Sequence, residues 1–343
     1  MPRVHAIMDT CPLTISLDTY SGCAHGCGYC FAGRKSSQKN VSPMDKRESL
    51  KRFIEGKRDE ATAFIDWPIP IHWGGGSDPF QPLEKTARAS YDVLKIFAET
   101  KYPFVVSTKG TLPATPEYLE LFKECNFVYQ CSVVSPTMCR KTEPGAPTFE
   151  ERLETVRKIA PYAKRTIIRC QPYIKELHAE IKEQLPRYKD AGVYGVNFEN
   201  LFLPRGKGRS GYVFVCGSET EPLRVLEPLF RDMRDAVHEQ GMVFLCSENR
   251  LKRLSDSIVC CGCEGLPGFD GNHAITAAYF WDKKYFAFRE SQLAPGSALA
   301  FGVKLQSAGT NQALSQMTYK EAFEMICNTP YSKTTNGVKG FTR

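Results

Sequence analysis

Short runs of β-branched and aromatic residues alternate with longer amphipathic stretches over residues 1–249, and this alternation restricts the fold more than any other feature of the chain. Strands separated by helices pair in parallel, because each crossover helix returns the chain to the same end of the sheet. The pattern therefore predicts an α/β protein with a partial (β/α)6 TIM-type barrel. The predicted strands cover residues 13–17, 69–73, 104–107, 127–133, 166–170, 193–198 and 242–246, and the predicted helices cover residues 46–64, 84–99, 116–124, 148–160, 175–191 and 221–240.

The alternation stops near residue 249, which divides the chain into two predicted parts. Residues 1–249 are predicted to form the partial barrel, and residues 250–343 a C-terminal cysteine-rich cap with a tail. Within the cap, the aromatic run over residues 278–287 favours a strand packed on the core. The polar residues 332–340 are predicted to be a mobile tail.

Composition limits the compartment and the partners of this 343-residue chain. Hydrophobic residues make up 42% of it, which is enough for a packed core. Its 14 cysteines are typical of a reducing compartment, where thiols bind metals rather than form disulfides. The sequence contains neither a secretory signal nor a run of about 18 apolar residues, so we expect a cytoplasmic protein with no membrane partner. The net charge of +7 permits a polyanionic partner without requiring one.

A cysteine motif follows the first predicted strand, at the end of a barrel where ligands gather. Cys23, Cys27 and Cys30 have the spacing C-x3-C-x2-C, which can hold three corners of a [4Fe-4S] cluster. The fourth iron is then open to S-adenosylmethionine, whose sulfonium an electron from the cluster can cleave to a 5'-deoxyadenosyl radical. Tyr29 would supply a flat ring beside the adenine. A zinc site remains an alternative, with His25 as a fourth ligand.

A second segment, residues 72–80, reads His-Trp-Gly-Gly-Gly-Ser-Asp-Pro-Phe and follows the second predicted strand. With the cysteine motif, it makes the chain resemble the radical S-adenosylmethionine (SAM) superfamily, and within it the spore photoproduct lyase-like branch, over residues 12–200. The resemblance implies roles in holding the cofactor for six residues. Gly74, Gly75 and Gly76 would cradle the methionine end and Ser77 would hydrogen-bond the cofactor, while Lys109 would meet its carboxylate and Ser132 its ribose.

Two positions depart from the pattern of the lyases that repair spore photoproduct. Those lyases carry a hydrogen-donor cysteine where this chain has Gly75, and a relay tyrosine where it has Phe31. A phenyl ring has no O–H bond to give, so the resemblance predicts cofactor chemistry without dimer repair. Cys131 is a candidate replacement donor, as is Cys139. The candidate acids or bases are Asp78, Glu143, Glu199 and Glu248, of which Glu199, at the end of a predicted strand, is the one to test.

A second cysteine group lies past the predicted barrel. It comprises Cys246, Cys260, Cys261 and Cys263, with His273 as a further candidate ligand. Three alternatives stay open: an auxiliary iron-sulfur cluster, a structural zinc ion, or no metal.

The sequence therefore predicts a radical SAM enzyme that removes hydrogen from a thymine, a modified thymine or another nucleobase in nucleic acid, for modification or rearrangement. The base would be turned out of its stack. The basic run over residues 204–211 would either meet phosphate through Arg205, Lys207 and Arg209 and through backbone amides beside its glycines, or form a solvated flexible loop. Flavodoxin or ferredoxin is the expected kind of electron donor. Two alternatives remain: modification of a peptide or small metabolite, and a non-catalytic iron-sulfur or zinc binding protein.

Overall fold

The computed structural model describes residues 3–4, 13, 15–30, 40–58, 68–215, 218–257, 259–269, 290–297, 316–318 and 320–321. Phe31, His273, the aromatic run over residues 278–287 and the tail over residues 332–340 lie outside these ranges. In the described part of the chain, no helix is long and apolar enough to cross a membrane.

An eight-stranded sheet organises the molecule, with the order β1-β2-β3-β4-β5-β6-β7-β11. The short β1 is antiparallel to β2, and all other neighbours in this sheet are parallel. This arrangement confirms the predicted α/β class and partial TIM-type barrel. The strands are β1 (Arg3–Val4), β2 (Ile15–Leu17), β3 (Ile71–Trp73), β4 (Phe104–Thr108), β5 (Phe127–Ser132), β6 (Arg165–Tyr173), β7 (Gly195–Asn200) and β11 (Val243–Cys246). A separate three-stranded sheet contains β8 (Leu203–Pro204), β9 (Val213–Val215) and β10 (Ser218–Thr220).

The helices connect these strands and are shorter than the amphipathic pattern predicted. The helix predicted over residues 84–99 divides at Arg88, which has a left-handed φ of 53°. The Glu84 carboxylate accepts the amides of Ser90 and Tyr91 there, so a buried side chain caps the second helix. The helices are α1 (Arg47–Ile54), α2 (Glu84–Ala87), α3 (Ala89–Thr100), α4 (Pro116–Lys123), α5 (Pro136–Thr142), α6 (Phe149–Ile159), α7 (His178–Glu183), α8 (Leu185–Asp190), α9 (Leu223–Glu239) and α10 (Glu290–Leu293).

Alternate residues of each strand face opposite sides of the sheet and build two separate cores. The larger core lies between the strands and the surrounding helices. The smaller one, called here the inner cluster, uses strand residues near the amino ends of the barrel. It comprises Leu13, Val105, Val128, Ile167, Leu245, Val259, Cys261, Cys263 and Phe269.

Residues 259–269 thus close the base of the barrel. Arg165 on β6 fixes them by donating to the carbonyl oxygens of Gly262 and Glu264, at 2.8 and 2.7 Å. The predicted domain boundary at residue 249 coincides with the start of a 3-10 helix, Asn249–Leu254, which packs against β11 and α9.

Candidate active site

A cavity of about 540 Å³ opens at the carboxyl ends of the strands, above the inner cluster. This is the end at which parallel barrels bind ligands. Most of the residues that the sequence predicted for the site meet here, from five strands and the cysteine loop. The lining comprises Cys23, His25, Cys27, Tyr29, Cys30, His72, Gly74, Gly75, Gly76, Ser77, Asp78, Ser107, Thr108, Lys109, Ser132, Arg169, Gln171, Pro172, Glu199, Asn200, Leu201 and Phe202.

The cysteine loop, residues 22–30, presents three partly exposed thiols to this cavity. Burial, with the charge of Asp78, raises the pKa of Cys23 to about 12, and burial also raises the pKa of Cys27. Metal binding would therefore have to displace protons from these thiols. In the described residues no three His, Cys, Asp or Glu side chains converge on one ion position. The three soft donors of Cys23, Cys27 and Cys30 fit a [4Fe-4S] cluster, whose irons take separate ligands, better than one tetrahedral zinc.

His25 locks the middle of this loop in place. Its side chain is 1% exposed, with Nδ1 2.9 Å from the carbonyl oxygen of Gly145 and Nε2 3.1 Å from Oδ2 of Asp78. Gly145 is required for this contact, because a Cβ there would lie 2.7 Å from the carbonyl oxygen of Ala24. The sequence offered His25 as a fourth ligand in the zinc alternative, and the structure makes it a buried residue that holds the loop.

Asp78 and Gln81, which follow the glycines after β3, contact the cysteine loop from its other side. Burial opposes the charge of Asp78, but the nearby His25 and the donors Lys109 N and Thr108 Oγ1 outweigh it and lower the pKa of Asp78 to about 2. Gln81 accepts the amide of Ala24 at 2.7 Å and donates to the carbonyl of Gly22 at 2.9 Å. The cysteine motif and the glycine motif are thus one hydrogen-bonded unit.

Tyr29 closes the loop against a buried ion pair. Its hydroxyl donates to Glu143, which is paired with Arg152 where both side chains are fully buried. Burial and the charge of Glu143 raise the pKa of Tyr29 well above its ordinary value. Nζ of Lys109 lies 5.7 Å from the centre of the Tyr29 ring, within cation–π range. The predicted adenine-side ring and the predicted carboxylate-binding lysine therefore occupy one wall of the cavity.

The glycine segment, residues 74–77, is shaped by Asp18, which directly follows β2. Oδ1 of Asp18 accepts the amides of Gly76 and Ser77 at 3.0 and 2.8 Å, and the Ser77 hydroxyl at 3.2 Å. Gly74 has a φ of 92°, and a Cβ there would lie 2.4 Å from the carbonyl oxygen of Ser107. At Gly74 the bare backbone therefore lines the cavity.

Polar residues on the inner faces of β3 to β6 form a network that sequence reasoning missed. The Ser107 hydroxyl joins three of its members: it lies 2.8 Å from Nε2 of His72, donates to Gln130 at 2.8 Å and accepts from Arg169 at 3.1 Å. Arg169 also donates to Gln171. The signal was available on β6, where polar Arg169 and Gln171 alternate with buried Ile168 and Cys170.

The two candidate catalytic residues lie in different places. Glu199 lines the cavity at the end of β7. Cys131 is 1% exposed and packs in the core between sheet and helices, while its neighbour Ser132 lines the cavity. Cys139 is buried in the same core. In the described lining, only Cys23, Cys27 and Cys30 carry thiols. A donor role for Cys131 would require its side chain to cross the sheet.

The second cysteine group is divided between the two cores. Cys246 faces the helices, with its thiol 3.5 Å from the carbonyl oxygen of Glu248. Cys261 and Cys263 belong to the inner cluster, with their sulfur atoms 3.4 Å apart, and Cys260 is partly exposed. Because alternate strand residues point to opposite sides, this geometry does not bring all four thiols to one metal position.

The basic loop, residues 204–211, belongs to the small sheet that follows the cavity-lining residues Leu201 and Phe202. Backbone amides from Gly206 to Gly208 point to the Glu219 carboxylate, which lowers the pKa of Glu219. The sequence predicted that these amides would meet phosphate. The structure corrects this, because an internal carboxylate already occupies them and leaves only the side chains for a phosphate.

Comparison with known proteins found a superfamily model that matches part of this chain and solved structures that have a similar fold. Residues 17–170 match the model of the Radical SAM superfamily. Uncharacterized proteins of Mycobacterium tuberculosis and Mycobacterium bovis are 24% identical to this chain over 213 residues. That match covers 59% of this chain and 62% of the relatives, so it spans less than two thirds of their length.

The fold is similar to that of spore photoproduct lyase. A double mutant with AdoMet and dinucleoside spore photoproduct bound gives a TM-score of 0.55 at 15% identity, over 70% of this chain and 78% of that one. A complex of the lyase with dinucleoside spore photoproduct gives 0.54 at 14% identity, over 68% and 76%.

Residues 17–170 therefore match a radical SAM domain, which confirms the superfamily that the motifs predicted, while the similarity to spore photoproduct lyase is one of fold. The superfamily that this domain matches implies SAM and a [4Fe-4S] cluster.

Proposed function

We propose that this protein is a radical SAM enzyme that acts on a nucleobase in nucleic acid, for modification or rearrangement rather than dimer repair. The observation that carries the proposal is the meeting of Cys23, Cys27 and Cys30 with Lys109 and the glycine segment in one cavity. These residues come from separate parts of the chain, and a purely structural cysteine site would not need the other two features.

The cavity residues divide the work of holding the cofactor. Cys23, Cys27 and Cys30 would hold the cluster, which when bound supplies the electron that cleaves SAM to a 5'-deoxyadenosyl radical. Lys109 would pair with the carboxylate of SAM, and the glycine segment with Ser77 would take its methionine end. Ser132 would face the ribose and the ring of Tyr29 the adenine. Glu199, at the end of β7, would move a proton on the substrate.

A nucleic-acid substrate is supported by the small sheet beside the cavity. Phe214 is 47% exposed there, and the guanidinium of Arg205 lies 5.4 Å from the centre of its ring. An exposed ring with a cation above it can stack on a base while the cation stays near phosphate. Lys207 is exposed in the same loop as Arg205. A base turned out of its strand would then enter the cavity from this side.

The choice of modification over dimer repair depends on the missing thiol. Gly75 lines the cavity, and the resemblance assigns to this position the donor cysteine of the repair lyases. Cys131, the candidate replacement, lies behind the sheet. Because the described part of the chain places no thiol other than the three cluster cysteines in the cavity, the enzyme would not return hydrogen to a product radical in the way that repair requires.

A single cluster is the simplest assignment for the whole chain. The split of Cys246 from Cys261 and Cys263 supports a packing role for these thiols rather than an auxiliary cluster or zinc. The electron would come from a low-potential donor of the flavodoxin or ferredoxin kind.

The test is formation of 5'-deoxyadenosine by protein reconstituted anaerobically with iron and sulfide, then reduced in the presence of SAM. We expect product from the natural chain and none from Cys23→Ala/Cys27→Ala/Cys30→Ala, because the cluster then has no ligands. A Cys260→Ala variant is the matched control and should retain the activity. Absence of product from the natural chain under every reductant would exclude the proposed chemistry.

The substrate class has its own test, which is the salt dependence of oligonucleotide binding. Each phosphate that a lysine or arginine neutralises should add about 0.7 to the steepness of log affinity against log salt for single strands. We expect Lys207→Gln to make the dependence shallower by about that amount. A slope near zero for the natural chain would favour a peptide or small-metabolite substrate.

A further inference from the structure

One lysine and one arginine line the described part of the cavity, and the proposed cofactor accounts for only one of them. Lys109 stands on the wall shared with the cysteine loop, and Arg169 stands on β6. Neither has a carboxylate within 4 Å in the described part of the chain. SAM carries a single carboxylate, which Lys109 would take under the proposed function.

Arg169 keeps one buried donor without an acceptor among the described residues. One of its terminal nitrogens donates to Ser107 and the other to Gln171, while buried Nε has no hydrogen-bond partner among the described residues. Buried Nε2 of Gln171, beside it, is also unpartnered there. Buried donors without acceptors destabilise a fold unless a ligand satisfies them. Two donors and one positive charge together call for an oxygen-rich anion.

The neighbours of Arg169 hold it rather than neutralise it. Ser107 is itself fixed by His72 at 2.8 Å and by Gln130 at 2.8 Å. All of these groups are uncharged or cationic, so they orient the guanidinium and leave its charge in place. A held, unneutralised arginine facing a cavity is the arrangement by which proteins bind carboxylate and phosphate.

We propose that Arg169, with Gln171, binds an oxyanion group of the substrate, a phosphate or a carboxylate, and so decides which substrates are accepted. The inference rests on the proposed function for the assignment of Lys109 to SAM. It places the cofactor against β3 to β5 and the anion of the substrate against β6, with Glu199 on the adjoining strand.

The experiment measures binding, by equilibrium dialysis of the anaerobically reconstituted protein in the presence of SAM. Two probe pairs separate the sources of the anion: thymidine 5'-monophosphate with thymidine, and N-acetylglycine with N-acetylglycinamide. We expect one anionic probe to bind at least about tenfold more tightly than its neutral partner. Arg169→Gln should abolish that preference and leave SAM affinity within about threefold.

Two further variants separate the site from general effects. Arg169→Lys keeps the positive charge but loses the planar set of guanidinium donors. Part of the preference for the anionic probe should therefore remain if the protein folds normally. Arg157→Gln removes an equal charge from an exposed helix position and should change nothing. Iron content and melting temperature of each variant report whether it has folded.

The outcomes are distinct. A preference for the monophosphate that Arg169→Gln abolishes supports a phosphate, and the same result with N-acetylglycine supports a carboxylate. No anion preference in the natural chain, a preference that survives Arg169→Gln, or a SAM affinity about tenfold weaker in that variant would each overturn the inference. If the natural chain shows the Arg169-dependent preference but makes no 5'-deoxyadenosine, the proposed function fails and the anion site stands.

Discussion

The cysteines of the loop over residues 23–30 and those over residues 246–263 are the same residue type in opposite surroundings. The first three are partly exposed, face one cavity and lie in a loop held by His25 and Gln81. Of the second group, Cys246, Cys261 and Cys263 are buried in two different cores. The comparison teaches that thiol clustering in sequence becomes a ligand set only where the backbone turns the thiols toward a shared space.

The most direct test of this contrast is to replace the three cysteines of the loop and to measure the iron bound per chain. We expect about four irons per reconstituted natural chain, and close to none in Cys23→Ala/Cys27→Ala/Cys30→Ala. The variant Cys246→Ala/Cys260→Ala/Cys261→Ala/Cys263→Ala serves as the reciprocal control and should keep its iron. If the first variant still held about four irons, the second group would carry an auxiliary cluster and the contrast would be wrong.

The loop anchor gives the next largest effect. Replacing His25 with alanine leaves the buried Asp78 carboxylate without its side-chain partner at 3.1 Å, which should lower the free energy of unfolding by about 3 kcal/mol. Iron retention should also fall, because the loop loses the side-chain contact of His25 with the carbonyl oxygen of Gly145. Chemical denaturation and iron analysis measure the two effects. A stable variant with full iron would show that Gln81 and the backbone hydrogen bonds position the loop without the His25 side chain.

The glycine segment is tested by comparing two glycines with similar backbone. Gly74 and Gly56 both have positive φ, 92° and 82°, but a Cβ at Gly56 would meet no atom within 4 Å. Gly74→Ala should therefore cost about 2 kcal/mol more than Gly56→Ala, because only Gly74 adds a clash with Ser107. SAM affinity should fall in Gly74→Ala alone. Equal decreases in stability would mean that strain, rather than close approach, requires glycine at this position.

The smallest expected effect belongs to the buried thiols. Cys246→Ala should lower the free energy of unfolding by about 1 kcal/mol, through a small cavity in the core. Iron content and 5'-deoxyadenosine formation should stay at the natural level, since this thiol faces the helices. Denaturation curves with parallel iron assays measure the difference. A variant of unchanged stability that no longer held its iron would reassign Cys246 as a ligand.

Much of the barrel could be predicted because strand and helix periods are local properties of the chain. The divisions within helices were harder. Arg88 interrupts a continuous amphipathic pattern only because the Glu84 carboxylate, on the turn before it, caps the helix that follows. The helix predicted over residues 175–191 ends at Glu183 and restarts at Leu185, with Pro186 in the first turn of the new helix. Pro186 can be read directly from the sequence. The helix cap depends instead on the position that the Glu84 side chain takes in the folded chain.

The sequence by itself determined the two motifs from which the cofactor chemistry is proposed, because the cysteine spacing and the glycine segment are short-range patterns that do not depend on the rest of the fold. Only the tertiary structure decided which other residues join them. Register and strand direction turned Ser132 into the cavity and Cys131 away from it, and they placed Arg169 beside Ser107 from a distant strand. They also separated Cys246 from Cys261, although these lie close in sequence. A side chain's neighbours across a sheet depend on pairing between distant segments, which no local pattern specifies.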